Sequence, residues 1–514
     1  MLITLSLLLG VGLIAWAIDE TGSDNDSNND DSMDPASDDG STTGTGGGTT
    51  DGGGTTGGGV TTASAGAEDI LGSAAADVLA GTSEGELILG NEGDDTINAG
   101  SGDDAVWGGA GADSLTGAGG NDAVGGGLGD DWIAGRTGDD TLFGGEGNDR
   151  VIGGFGDDSM NGGAGDDTLS GRQGDDVIRG GDGNDDIEDY EGNNILYGGL
   201  GNDYVVAGGG NDLIGGGFGD DTLFGGDGTD AILGGDGDDY ADGGLGNDTL
   251  DGGEGADFMM GDEGDDSILG GLGDDSADGG LGNDTLEGGE GVDILLGGEG
   301  DDSILAGVGD DGAAGGDGDD YVDGGEGADA LLGDAGMDTL QGGLGDDTLM
   351  GGDDNDTLLG GEGADSLEGG AGSDVLFGLS VTPAPEDAVD GVAVIEDDGA
   401  ADTLVGGDGS DMMWLGAGDS ATGGLDGDNF VLSQLGLSPD ATAPVIEDYD
   451  FLEDQIMIVV PEGSMGTVTI SEDPDTAGQA LISYDGEVIG TVVGGYPALT
   501  ADAIVIETTA EVMV

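Results

Sequence analysis

The 514-residue chain has no cysteine and no histidine, and its only basic side chains are Arg136, Arg150, Arg172 and Arg179. Disulfides and thiolate metal sites are therefore excluded, and the chain carries no redox mark of its compartment. A Ser-His-Asp triad, a Cys-His pair, an HExxH zinc site and a Schiff-base lysine each lack a member. Only carboxylate pairs remain as catalytic candidates. Aromatics are scarce at 4%, which is not the composition of an ordinary globular enzyme. Positive charge is scarcer still, with 4 Lys plus Arg against 114 Asp plus Glu and a net charge of -110. Such a surface cannot neutralise phosphates, so nucleic acid is excluded as a partner and anionic membranes are disfavoured. Cations are the implied partners. Low hydrophobicity at this charge reads as disorder unless a counter-ion intervenes, because too little apolar area is buried to offset chain entropy.

What is present is strongly segmented. Residues 2–18, LITLSLLLGVGLIAWAI, are an apolar run of 17, near the lower limit for a membrane-spanning helix. Ala15-Trp16-Ala17 suits a small-residue cleavage site, but no Lys or Arg flanks the run, so both the signal-peptide and the positive-inside readings lack their charge cue. A membrane anchor, a cleaved signal and a plain hydrophobic leader over 1–18 stay open. Residues 19–62 are Asp, Ser, Thr and Gly without apolar periodicity, a flexible and self-repelling linker. Within it DNDSNNDDS places Asp24, Asp26 and Asn28 at EF-hand positions one, three and five. Asn29 stands where that loop needs Gly and Pro35 where it needs Glu, so the match fails.

A nine-residue repeat follows. Written GGxGxDxUx, with U a large aliphatic, its units run in unbroken phase from Gly90 to Phe377, which is 32 nines. The sixth position is Asp in every unit but one, where Asn194 replaces it, and the fourth is Gly in all but one, where Asp354 does. Weaker units begin at Gly72 and Gly81, so the repeat region is taken as 63–377. The phase breaks over 378–396, around SVTPAPED, and resumes over 397–432 in GGDGSDMMW, LGAGDSATG and GLDGDNFVL.

Nine residues are too few for a helical repeat, and triplets such as TLD, SIL and YVD each offer one aliphatic between variable residues. That predicts a very short strand pointing one side chain inward. Two units, 18 residues, then make one coil of an all-β, right-handed parallel β-roll, with glycine turns that need φ > 0 at more than one position. Taking every second unit, the eighth position reads Ala241, Met259, Ala277, Leu295, Ala313, Leu331 on one sheet and Leu250, Ile268, Leu286, Ile304, Val322, Leu340 on the other. Alternating small and large residues against a uniformly large stack suits a thin core, although duplication of four-unit blocks also yields the pattern. Coils stacked about 4.8 Å apart bring sixth-position aspartates into register, where two carboxylates repel by roughly 3 to 4 kcal/mol at an effective dielectric of 20. A hard divalent cation between turns reverses the sign, and flexible coordination by carboxylates and carbonyls selects Ca²⁺ over Mg²⁺. The expectation is many calcium ions, roughly one per turn.

The repeat resembles the hemolysin-type calcium-binding nonapeptide of the repeats-in-toxin (RTX) family over residues 72–432. The resemblance implies a parallel β-roll with calcium between turns, each GGxGxD supplying carbonyls and its Asp bridging ions. Carried over residue by residue, the implied ligands are Asp95, Asp104, Asp113, Asp122, Asp131, Asp140, Asp149, Asp158, Asp167, Asp176 and Asp185, then Asp203, Asp212, Asp221, Asp230, Asp239, Asp248, Asp257, Asp266, Asp275, Asp284, Asp293, Asp302, Asp311, Asp320, Asp329, Asp338, Asp347, Asp356, Asp365 and Asp374, and finally Asp411. Asn194 departs from the pattern at its own turn, and Arg136 and Arg172 replace the second Gly at theirs. The resemblance also implies a type I exporter reading an uncleaved C-terminal signal. The chain ends in Glu511, Val512, Met513 and Val514, similar to the acidic-plus-three-hydrophobics ending of some members.

Residues 433–514 leave the repeat. PVIEDYD, DQIMIVV, GTVTIS, ALISY and EVIGTVV read as strands of a small C-terminal β cap, the last two joined by Asp485-Gly486 as a two-residue hairpin turn. The run VIEDYDFLEDQIMI is similar to the segment that follows the last repeats in RTX proteins. The expected function is calcium binding by a secreted or surface-held protein without enzymatic activity, folding when it meets calcium outside the cell. Membrane retention by residues 1–18 is compatible with this, and the target surface stays open. The alternatives are an RTX cytolysin, which would need long apolar helices and acylated lysines, and an RTX-tailed glycan-active enzyme, which would need a catalytic region outside the roll. The four arginines read as scattered surface charge. A flat threonine array for ice or carbohydrate is not supported, since Thr222, Thr249, Thr285 and Thr339 are interrupted by other residues.

Overall fold

Each unit folds as a glycine turn feeding a strand, and the strand is longer than the sequence pattern suggests. Thr96–Ser101, Thr249–Glu254 and Thr339–Leu344 each run six residues, from the seventh position of one unit through the third of the next. In Thr249–Glu254 the interior receives Leu250 and Gly252, so a glycine shares the inward face with the aliphatic. This extension was hidden in the sequence because glycine has no side chain to show which way it faces.

The computed structural model describes residues 60–62, 69–382, 394–396, 399–433, 442–460, 466–494 and 498–508. All of them fall within one unit, Thr55–Val514. Among them the chain is all-β, a parallel β-solenoid of about 19 turns, with a single 3-10 turn at Ala501–Ala503. Pairing joins residues 18 apart: Leu250 lies beside Ile268 and Ile268 beside Leu286 on one sheet, while Ala241, Met259 and Ala277 line up on the other. Two units per coil is thus the observed arrangement. The ladder skips the first position, passing from Asp251 and Leu269 to Gly253 and Gly271. The turns need a left-handed backbone at the second and fourth positions, as at Gly253 (φ 109°) and Gly255 (φ 149°). Arg136 (φ 87°) and Arg172 (φ 89°) adopt the same conformation, so the turn survives both replacements.

Every eighth-position side chain from Ala241 to Leu340 is buried in one continuous core. Burying one such Leu or Ile is worth about 1.5–3 kcal/mol, and the roll gains one per nine residues. The linker reading over 19–62 ends three residues late, because Val60–Thr62 already pairs with Val78–Ala80. The break over 378–396 is an excursion containing its own antiparallel pair, Ser380–Thr382 with Val394–Glu396. Across it the ladder joins Ser366 to Thr403, 37 residues apart, with no loss of register.

After the last repeat both sheets continue. Asn429–Ser433 pairs with Gln455–Val460 and that strand with Ile504–Thr508, all parallel. On the other sheet Ser420–Leu425 leads to Val445–Ile446 and then Glu487–Val492. Val468–Glu472, Ala480–Tyr484 and Glu487–Val492 form an antiparallel meander. Its hairpin turns at Asp485 (φ 52°) and Gly486 (φ 92°), the conformation a two-residue turn requires. The leader at 1–18, the linker up to residue 59 with its EF-hand-like stretch, and the AEVMV ending lie outside the described residues.

Candidate metal centre

The sixth-position aspartates form two columns through the roll, one from each alternate set of units, and each residue is placed by the main chain of its own column. The N–H of Asp95 donates to Oδ1 of Asp113 one coil on (2.7 Å), that of Asp248 to Asp266 (2.7 Å) and that of Asp347 to Asp365 (3.0 Å). One carboxylate oxygen per residue is thereby used. The other is not: Oδ2 of sixth-position aspartates from Asp95 to Asp356, and of Asp374 and Asp411, is buried without a hydrogen-bond partner. A buried anion left in this state costs several kcal/mol, more than one aliphatic per unit supplies.

Most of the orphaned oxygens face a main-chain oxygen of the next coil. A Cβ built on Gly252 would meet Oδ2 of Asp257 and the carbonyl oxygen of Gly270, the first position of the next coil. Gly324 stands in the same relation to Asp329 and Gly342. The missing side chain of the first-position glycine leaves the space in which carboxylate and carbonyl oxygens converge. Among the described residues no group of three or more acidic side chains could hold a metal ion, so a cation here would be held by few carboxylates and by main-chain oxygens. That donor set fits a hard divalent ion of flexible geometry, and every sixth-position Asp predicted from the sequence is buried in one of the two columns.

The acid–base state agrees. Burial pushes the carboxyls of Asp131, Asp221, Asp266 and Asp347 up to about 7; the N–H each accepts pulls the other way, and repulsion from neighbouring aspartates adds to the rise. Without a cation, these groups resist ionising at neutral pH.

Sequence reading missed several members. Asp77 and Glu86 donate their N–H groups to Asp95 and Asp104 (both 2.7 Å) and are the sixth positions of the weak units at Gly72 and Gly81. Beyond the excursion, Asp365 donates to Asp402 (2.9 Å), Asp402 to Asp419 (3.1 Å) and Asp411 to Asp428 (3.1 Å). The last two steps span 17 residues because one residue is lost before Asp419, and strict counting in nines loses the phase there. A second, exposed ladder runs alongside: Asn148 donates its N–H to Oδ1 of Asp130, and Val292 to Oδ1 of Asp274 (both 2.9 Å). It accounts for the many Asp and Asn residues at the fifth position.

A family model described as the RTX calcium-binding nonapeptide repeat matches the chain without a gap from 89 to 380 and again over 387–420. The chain belongs to this RTX repeat family. RTX repeats of this kind indicate calcium binding. No curated protein matches the chain. Two of the four arginines are not scattered on the RTX roll. Arg136 and Arg172 both pair with Gly154 and line, with Trp132, Ile152 and Phe155, a groove of about 560 Å³. Arg179 lies over the Tyr197 ring at 5.6 Å. Among the described residues no helix is long and apolar enough to cross a membrane.

Proposed function

We propose that this RTX protein is non-enzymatic and exported, that its roll stays unfolded where calcium is scarce, and that it folds on calcium outside the cell to serve as a structural or surface-binding element. The observation that carries this reading is the two columns of orphaned Oδ2 atoms between Asp95 and Asp356, most of them beside a carbonyl oxygen of the next coil. Such a column is unfavourable without a cation and favourable with one, which couples folding to binding. Extracellular modules of this kind bind calcium at roughly 10⁻⁴ to 10⁻³ M, so the chain would pass a type I exporter unfolded and order afterwards. Roughly one ion per nine-residue turn is supported by the one orphaned Oδ2 that nearly every unit contributes. Absence of His, Cys and Lys supports the non-enzymatic reading, and the apolar run at 2–18 supports retention at the cell surface.

The test is far-UV circular dichroism of the full chain during a calcium titration from an EDTA-treated start, with magnesium as control. A cooperative coil-to-β transition near millimolar calcium, absent with magnesium, is expected. A β spectrum already present in EDTA at pH 7, or equal responses to both ions, would sink the coupling of folding to calcium.

A further inference from the structure

One turn of the roll breaks the pattern twice, and the two breaks complement each other. In the unit DYEGNNILY, residues 189–197, the sixth position is Asn194 and the first is Asp189. Between Gly90 and Phe377 no other unit lacks the sixth-position Asp, and no other unit has an acidic first position. The backbone changes with them. Tyr190 is the one second-position residue in that span without a positive φ, and the strand before it, Asp186–Glu188, stops after three residues instead of six.

This reshaped turn swings the Asp189 side chain inward. Asp189 is fully buried, and its Oδ1 accepts the N–H groups of Arg172 (2.9 Å) and Tyr190 (2.8 Å). Its Oδ2 has no hydrogen-bond partner, and neither has Oδ2 of Asp176, which is equally buried. A Cβ built on Gly171 would collide with both of these oxygens. At most other turns that space is shared by one carboxylate oxygen and a carbonyl oxygen; here two carboxylates converge on it. Asn194 meanwhile keeps the column's hydrogen bond, its Oδ1 accepting the N–H of Asp176 at 3.0 Å, and turns a buried, unpartnered Nδ2 toward its own turn. A donor there opposes a cation as a carboxylate would not.

We infer that Asp189 returns, one turn displaced, the carboxylate that Asn194 removes, and that with Asp176 it forms a two-carboxylate site for a hard divalent cation. In an RTX roll that cation is calcium, so the inference rests on the calcium-binding reading. The charge of the column is conserved while its spacing is not, and the site between Gly171, Asp176 and Asp189 differs in donor set from its neighbours.

Hydrogen exchange read by mass spectrometry on the full chain tests this, with calcium raised from EDTA and protection followed in peptides covering 168–200 and, for comparison, 285–340. Asp189→Asn is expected to raise the calcium midpoint of the 168–200 peptides about tenfold or more and to leave the 285–340 peptides unchanged. Asp189→Asn combined with Asn194→Asp restores a sixth-position carboxylate, and the local midpoint is expected to return to near the wild-type value. An unchanged local midpoint in Asp189→Asn, or no recovery in the double variant, would overturn the assignment while leaving calcium binding by the roll intact. Protection independent of calcium throughout the wild-type chain would instead remove the calcium reading itself, and this inference with it.

Discussion

The interior rungs of the two carboxylate columns and the columns' ends differ in who satisfies the second oxygen. At Asp284, deep in the roll, Oδ1 takes the N–H of Asp266 (2.7 Å) and Oδ2 takes nothing. At the upstream end of one column Asp77 Oδ2 accepts both the N–H (2.6 Å) and the hydroxyl (2.8 Å) of Ser73. At the downstream end of the other the N–H of Asp428 reaches Oδ1 of Asp454 (3.1 Å), whose Oδ2 accepts the N–H of Asp450 (2.6 Å). The ends are closed by protein donors and the interior is left for cations. Packing differs in the same sense. Interior coils bury one aliphatic per unit, whereas the region around 430–504 buries Phe430, Ile446, Ile456, Ile458, Ile482 and Val492 together, with Tyr449 between Phe430 and Phe451 at ring separations of 6.3 and 5.4 Å. On the function proposed above, stability in one region rests on an ion and in the other on apolar burial.

Removing calcium is the most severe way to break the contrast. In EDTA at pH 7, amides of the interior coils such as Leu250, Leu286 and Leu340 are expected to lose hydrogen-exchange protection altogether, while Ile456, Ile458 and Ile482 keep theirs. Equal loss in both regions would show that the C-terminal part has no stability of its own. Next in size, Ile482→Ala should cost about 2–5 kcal/mol in denaturant titrations with or without calcium, because its cavity does not depend on the ion. Leu286→Ala should register a loss only when calcium is present, since without it the coil around Leu286 is already unfolded.

A change of pH sharpens the comparison with less force. Folded, metal-free carboxyls such as Asp122, Asp221 and Asp266 are held up to about 7 by burial, offset by the N–H each accepts and reinforced by neighbouring aspartates, against about 3.9 in an unfolded chain. The folded state therefore binds more protons between these values. Metal-free stability of the roll is fully present below about pH 4 and is lost as pH rises through about 7. Circular dichroism in EDTA should show β structure appearing on acidification, the reverse of ordinary acid denaturation, and calcium midpoints should rise as pH falls through 7. The smallest effect is expected at Arg136→Gly. Relieving a left-handed non-glycine residue (φ 87°) should stabilise the calcium-loaded roll by about 1 kcal/mol, seen as a small increase in denaturant midpoint.

Much of this molecule was legible in the chain because a period of nine repeats one environment many times over. The interior aliphatics, the left-handed turn glycines and the sixth-position aspartates recur in phase, so each was readable from its neighbours, as was the hairpin at Asp485-Gly486. Failures came where phase and space part company. Asp402, Asp419 and Asp428 rejoin the columns across steps of 37 and 17 residues, and only the hydrogen bonds show it. Asp189 was not singled out in the sequence, because nothing there says which way a side chain points once the second position loses its positive φ.

The sequence by itself determined the repeat and the family, since both are carried by residue types at fixed spacing along the chain. Tertiary structure alone decided which carboxylate oxygens are left without protein donors and where the two columns end. That decision belongs to stacking: whether an oxygen meets an N–H, a carbonyl or a second carboxylate depends on the coil above it, 18 residues away in most of the roll and wherever the chain returns in the rest.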